Sequence, residues 1–241
     1  ILCCPKNARV LIPKGTYPVT ALFLKSDMIL ELQENAVLAG IYDRARTPIL
    51  PGQIEYDNED GYYNLGSWEG NPIDSFASMI TGIHVKNVTI CGKGVLDGRA
   101  DFENWWSRPK DKIRAWRPRM IFLNHCENIT VVGVTVQNSP AWNLHPYFSN
   151  QIRFLDMEVK GPANSHNTDG CDPESCTNVE IAGVHFSVGD DCIAIKSGKI
   201  YMGKKFKVPS KHIHIRQSWM QDGHGAVTVG SEIAAGVDDI H

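Results

Sequence analysis

Along most of the chain, apolar and polar residues alternate over only four or five positions before a glycine or asparagine breaks the run. The 3.6-residue spacing of an amphipathic helix is almost absent. Five runs share one template, in which a small or polar residue and then Asn, Gln or His precede a β-branched residue that opens an alternating strand. They are Lys86-Asn87-Val88-Thr89-Ile90, Glu127-Asn128-Ile129-Thr130-Val131, Asn150-Gln151-Ile152-Arg153-Phe154, Thr177-Asn178-Val179-Glu180-Ile181 and Lys211-His212-Ile213-His214-Ile215, and a sixth opens at Asp239-Ile240-His241. The β-branched markers 88, 129, 152, 179, 213 and 240 advance by 41, 23, 27, 34 and 27 residues. A strand this short cannot bury a face alone, but one strand per coil of roughly 20–30 residues, stacked in parallel, makes a continuous core. The pattern predicts an all-β, right-handed parallel β-helix, with the short steps as bare coils and the long ones carrying loops. A propeller would need four strands in each repeat of about 40 residues, and a sandwich would lack the recurring marker.

Two stretches, at about 42–82 and 99–118, break the pattern and are expected as loop insertions on a single domain running 1–241. The second carries Trp105, Trp106 and Trp116 among Arg108, Arg114, Arg117 and Arg119. The tryptophans suit packing against the side of the solenoid, or a sugar-stacking wall at one end of a cleft. The arginine forks would match a carboxylated sugar.

Composition narrows the class without choosing a function. With 241 residues, 42% hydrophobic and 21% charged, the chain can bury one large core and is expected to be soluble. A net charge of −3 argues against nucleic acid as a partner. No run approaches the eighteen or so apolar residues of a membrane span. Secreted, periplasmic and cytoplasmic settings stay open, as does the oligomeric state. The seven cysteines are odd in number and scattered, so buried free thiols are expected rather than a disulfide framework. Cys171 and Cys176 stand too far apart, with no second pair, for a zinc site.

Three short motifs carry the chemistry: Asn167-Thr168-Asp169-Gly170, Gly189-Asp190-Asp191-Cys192 and Gly223-His224-Gly225. Each alone is an ordinary turn sequence. Their spacing changes that reading, because Asp169 and Asp191 are 22 residues apart, one coil, and stack on adjacent rungs roughly 5 Å apart. His224 reaches the next rung if the basic segment 199–211 forms a loop. Asp190 and Asp191 can share a face only if the backbone bends after Gly189. Crowded carboxylates repel, raising one pKa and leaving the others ionised, and that division suits glycosidic cleavage by an acid and a base.

The ordered set resembles the signature of glycoside hydrolase family 28, the polygalacturonases. The similarity extends to Ile12-Pro13-Lys14-Gly15-Thr16-Tyr17, Gly94-Val95-Leu96-Asp97-Gly98, Trp142-Asn143-Leu144-His145-Pro146 and Ile193-Ala194-Ile195-Lys196-Ser197-Gly198. The resemblance implies cleavage of α-1,4-linked galacturonan by inverting, metal-independent hydrolysis, with no cofactor and with polygalacturonate or an oligogalacturonide as partner. It makes Asp190 the general acid, Asp169 and Asp191 the pair that holds and deprotonates water, and His224 the support of the acid. Asn167, Lys196 and His145 are expected substrate contacts. Trp68-Glu69-Gly70, the long early loops and Trp142-x-x-His145-Pro146 are more similar to the exo-acting bacterial and plant members. The family's Arg-Ile-Lys motif, which follows the Gly-His-Gly, is not found after His224, so the chain is expected to be part of a longer protein whose next coils supply it.

Other readings stay open at this point. Rhamnogalacturonan or another uronide would suit the same carboxylates. A pectate lyase would share the fold, yet it needs acidic Ca²⁺ ligands and a base for the C5 proton, which these motifs fit badly. A β-helical adhesin or tailspike-like protein would bind sugar without cleaving it.

Overall fold

The computed structural model describes residues 1, 3–52, 54–55 and 62–241, and its strands form three parallel sheets wound as a solenoid. The winding is right-handed, the hand that strand twist imposes on parallel crossovers. Eight strands make the first sheet: Ala8–Ile12, Met28–Leu32, Lys86–Gly92, Glu127–Val132, Asn150–Leu155, Thr177–Ala182, Ser210–Arg216 and Val237–Ile240. The second has seven, from Gly15–Val19 to Trp219–Gln221. The third runs through Leu22–Phe23, Ile80–Ile83, Ile121–Asn124 and Leu144–Tyr147, then by single bridges at Cys171 and Glu174 to Ile193–Ile195 and Val227–Val229.

The marker residues of the repeat lie in register: Val88 opposite Ile129, then Ile152, Val179, Ile213 and Ile240. The first five point inward and are at most 1% exposed. Two earlier coils continue the row with Met28 and Ala8, which are not β-branched and so escape the template. The residue before each marker explains the template. Asn7, Asp27, Asn87, Asn128, Gln151, Asn178, His212 and Asp239 all have φ between 54° and 59°, the left-handed region that Asn, Asp and His tolerate best among side chains. Some of these side chains also bond to one another along the stack, as where Asn128 Nδ2 donates to Asn87 Oδ1 at 2.9 Å.

Both insertions pack on the solenoid. The first, between Ala36–Gly40 and Ile80–Ile83, contains two short antiparallel pairs. Between Tyr63 and Ser75, Asn64 and Trp68 lie over the outer face of the third sheet. Asn64 Nδ2 donates to the Tyr147 hydroxyl at 2.8 Å, and Trp68 is sandwiched between Trp116 and Trp142 at centroid distances of 5.0 and 5.6 Å. Trp105 and Trp106 are 2% and 3% exposed, so for them the packing reading holds, while Trp116 is half-buried.

Segment 199–211, expected as a loop, instead begins with the helix Ile200–Phe206. Met202 and Gly203 are its buried residues, and the helix ends where Lys207 turns to φ 53° and its N–H meets the Gly203 carbonyl at 3.0 Å. All seven cysteines are free. Four are buried, Cys4 and Cys91 are half-buried and Cys3 is exposed.

Candidate active site

The three motifs meet where coils enter the third sheet. The Gly170 N–H donates to the Asp191 carbonyl at 2.9 Å, the His224 N–H to the Asp190 carbonyl at 3.0 Å, and the Cys192 N–H to the Gly225 carbonyl at 2.8 Å. Each motif is therefore pinned to the next. Regular strand would send Asp190 and Asp191 to opposite faces, but the strand begins only at Ile193 and residues 189–192 are bent. In that bend the Asp191 N–H donates to Asp190 Oδ1 at 3.1 Å. One carboxylate oxygen from each of Asp169, Asp190 and Asp191 then lies within 4.8 Å of the others. The glycines around His224 make the approach possible. Gly223 sits at φ 109°, and a Cβ on Gly225 would come 2.8 Å from Asp191 Oδ1.

Neighbouring polar groups fix this arrangement. Thr168 Oγ1 accepts from the Gly189 N–H at 3.1 Å, tying the first motif to the second. Asn143 Nδ2 donates to the Asp169 carbonyl at 3.0 Å. His224 Nδ1 stands 3.2 Å from Asp190 Oδ1, and its side chain is 70% exposed. Asp190 and His224 open into a cavity of about 290 Å³ that is also lined by Asn167, His166, Pro109 and Lys110. A wider groove of about 630 Å³, on the outer face of the first sheet beside Arg153, His214 and Arg216, holds none of the predicted site residues.

Four residues read as ligand contacts or carboxylate clamps turn out to be buried. His145 has no exposed surface and bonds through Nε2 to Glu174 Oε2 at 3.0 Å. Burial, with Arg119 and Lys196 nearby, holds it neutral, well below the ordinary histidine range. Arg117 is 1% exposed and reaches from the second insertion to the His166 carbonyl at 2.8 Å and Asn167 Oδ1 at 2.7 Å. Arg119 is likewise 1% exposed, lying over Trp68 and Trp142. Burial brings both guanidinium groups down to about 10. The insertion arginines nearest the carboxylates therefore hold the scaffold together. Lys196 is also enclosed, with 7% of its side chain exposed. Of the expected contacts, Asn167 lines the cavity.

The carboxylates differ in setting. Asp169 is 4% exposed, and burial, reinforced by Asp190 and opposed by Lys196, pushes it up to about 7. Asp172, fully enclosed behind it, is pushed well above the usual carboxylate range by burial and then by Asp169. Glu174 is raised to about 7 by burial, against Lys196 and Arg119. These three enclosed carboxylates thus hold their protons to higher pH than ordinary ones do.

The family model for glycosyl hydrolases family 28 matches residues 49–241. The chain belongs to glycosyl hydrolase family 28. This family 28 chain is 31% identical over 237 residues to a probable polygalacturonase of Vitis vinifera, covering 97% of the chain and 46% of the relative. An endo-polygalacturonase of Pectobacterium carotovorum subsp. carotovorum is 32% identical over 189 residues, covering 73% of the chain and 44% of the relative. The crystal structure of a hyperthermoactive exopolygalacturonase from Thermotoga maritima superposes with a TM-score of 0.81 at 27% identity, covering 96% of the chain and 57% of that structure. The chain spans about half the length of the curated relatives it matches.

Two residues packed around the carboxylates escaped the sequence reading, and a third was read too broadly. Asp172 follows Asp169 by three positions, and Glu232 bonds Lys196 from beyond the third motif at 2.9 Å. Arg117 was noticed only as one of several loop arginines. The turn-rich stretch around Glu232 carries no periodic signal, so only the fold brings it to Lys196.

Proposed function

We propose that the full protein hydrolyses α-1,4-linked galacturonan, with Asp190 protonating the departing glycosidic oxygen and Asp169 and Asp191 holding the attacking water between adjacent rungs. The observation that carries this reading is the convergence of three carboxylates within 4.8 Å at the mouth of a cavity that Asp190 and His224 line. Asp190 is the member with both access and a partner. Its side chain is 24% exposed and faces the His224 imidazole at 3.2 Å. As the bond breaks, the Asp190 proton passes to the leaving oxygen and the water gives a proton to Asp169 or Asp191, so the reaction needs no cofactor. Polygalacturonases among the relatives supply the substrate class, while the exposed Lys110 and His166 at the cavity suit an anionic sugar. Pro109 and Lys110, from the second insertion, line the cavity, and a wall built from that loop favours cutting from a chain end.

Product analysis on de-esterified polygalacturonate tests reaction class, substrate and mode together. Reducing ends should appear without added metal and persist with a chelator, and monomer or dimer should accumulate before the long chains shorten. A second reading concerns stereochemistry. The short spacing of the oxygens is nearer that of double displacement with retention than the wider gap that admits a water. The resemblance to family 28, together with a third carboxylate available to hold water, favours single displacement. NMR of the first-formed anomer decides between them, and inversion is expected.

A further inference from the structure

We propose that Lys196, clamped by Glu232, is a positioning residue for the reacting carboxylates, its ammonium being the buried positive charge that sets the charge state of Asp169. The proposal rests on the function above, since it takes Asp169 as one of the reacting groups. Lys196 follows Ile193–Ile195 and stands in register with Glu174 on the preceding coil. Its Nζ lies 2.9 Å from Glu232 Oε2, 3.6 Å from Asp172 Oδ1 and 4.0 Å from Asp169 Oδ2. The Trp142 ring, 4.8 Å from Nζ, closes the aromatic side. The clamp is itself fixed by backbone, because the Ser197 N–H donates to the Glu232 carbonyl at 2.6 Å and Gly198 bridges to Ile233.

The charged and titratable groups facing this ammonium are Asp169, Asp172 and Glu174 from the coil before, Glu232 from the coil after, and the neutral His145. Arg119 lies beyond Glu174, and Asp190 beyond Asp169. Burial works against the charge on Lys196, but Asp172, Asp169 and Glu232 outweigh it and hold the ammonium protonated. A carboxylate as enclosed as Asp169, with Asp190 beside it, ionises only if a cation is close. Lys196 is that cation. With 7% of its side chain exposed, it is not placed to grip a sugar carboxylate.

The test is the pH dependence of kcat and KM for the full-length protein on polygalacturonate, comparing Lys196→Met, Lys196→Arg and Glu232→Gln. Without the ammonium, Asp169 holds its proton to higher pH, so Lys196→Met should move the acidic limb of kcat upward by about one pH unit or more. Activity should partly recover above it, and Lys196→Arg should keep the wild-type limb. Glu232→Gln removes a negative charge that competes for the ammonium and should move the limb the other way, which keeps the proposal testable if Lys196→Met does not fold. An unmoved limb with raised KM would make Lys196 a substrate contact. An unmoved limb with activity lowered equally at all pH values would make its role structural, and either result overturns the proposal. If the wild-type protein releases no reducing ends, the functional reading fails instead. NMR titration of ¹³C-labelled aspartates, with and without Lys196, then decides the electrostatic claim. An Asp169 titration that Lys196→Met leaves in place would refute it.

Discussion

At the scale of single residues, Asp190 and Asp169 should respond to the same substitution in different ways. Asp190→Asn removes the proposed proton donor without disturbing a buried contact, so kcat should fall by about 10² or more, with circular dichroism and thermal midpoint close to wild type. Asp169→Asn should also cost activity but should change stability, because Asp169 is buried and raised to about 7 from an ordinary 3.8. Between those pH values the folded protein holds the proton more tightly than the unfolded chain does. Stability therefore falls as pH rises through the window, and above it the cost of the buried charge is complete. The gain in thermal midpoint for Asp169→Asn should be near zero at pH 4 and largest above pH 7, as calorimetry at three pH values would show. An equal gain at every pH would mean that Asp169 does not titrate in that range. The clustered aspartates could be read from the sequence because they sit in turns with a fixed one-coil spacing. Asp172 and Glu232 could not, since their effect comes from enclosure around Lys196, and enclosure leaves no pattern along the chain.

At the scale of the element, the repeat template records backbone geometry more faithfully than side-chain type. Every marker from Val88 to Ile240 lies in the register that the sequence steps imply, and the 41- and 34-residue steps hold the second insertion and the helix Ile200–Phe206. The template missed the coils opening at Ala8 and Met28 because it asked for a β-branched residue, whereas the feature they share is the left-handed residue before it. The helix went unseen because seven residues are too few for periodicity to show. Position 128 makes the geometric claim testable. At φ 55°, Asn128→Val should cost about 1–2 kcal/mol, a drop of several degrees in thermal midpoint, while Asn128→Gly should be much milder because only the side-chain bonds are lost.

At the scale of the whole molecule, the first insertion roofs the third sheet. Trp68 is 4% exposed, a plate between Trp116 and Trp142. Trp68→Ala should destabilise by about 3–5 kcal/mol, measurable by denaturant titration, and should also lower activity through Arg117, which lies over that ring at 5.4 Å and bonds Asn167. Loss of stability with unchanged turnover in the folded fraction would separate the roof from the site. Composition signalled that these loops matter, but not which tryptophans lie inside, since a buried and a sugar-facing tryptophan read alike in sequence.

The roof also has a consequence for how the protein is made. It reaches the sixth coil, where the Lys199 N–H donates to the Gly70 carbonyl at 3.0 Å and Lys199 Nζ meets Glu69 Oε2 at 3.4 Å across 130 residues of chain. A plain solenoid can fold coil by coil as it leaves the ribosome, each new turn covering the last. This one cannot finish its early coils in that order, because at about 5–20 residues per second the anchoring turn emerges roughly 6–26 s after the loop it must hold. Trp116 and Trp142 reach Trp68 partway through that interval, but the turn at Glu69 and Gly70 lacks its final partners until the end of it. The nascent chain therefore passes through a stage in which chaperone binding competes with docking, and the carboxylate pocket forms only when that stage ends.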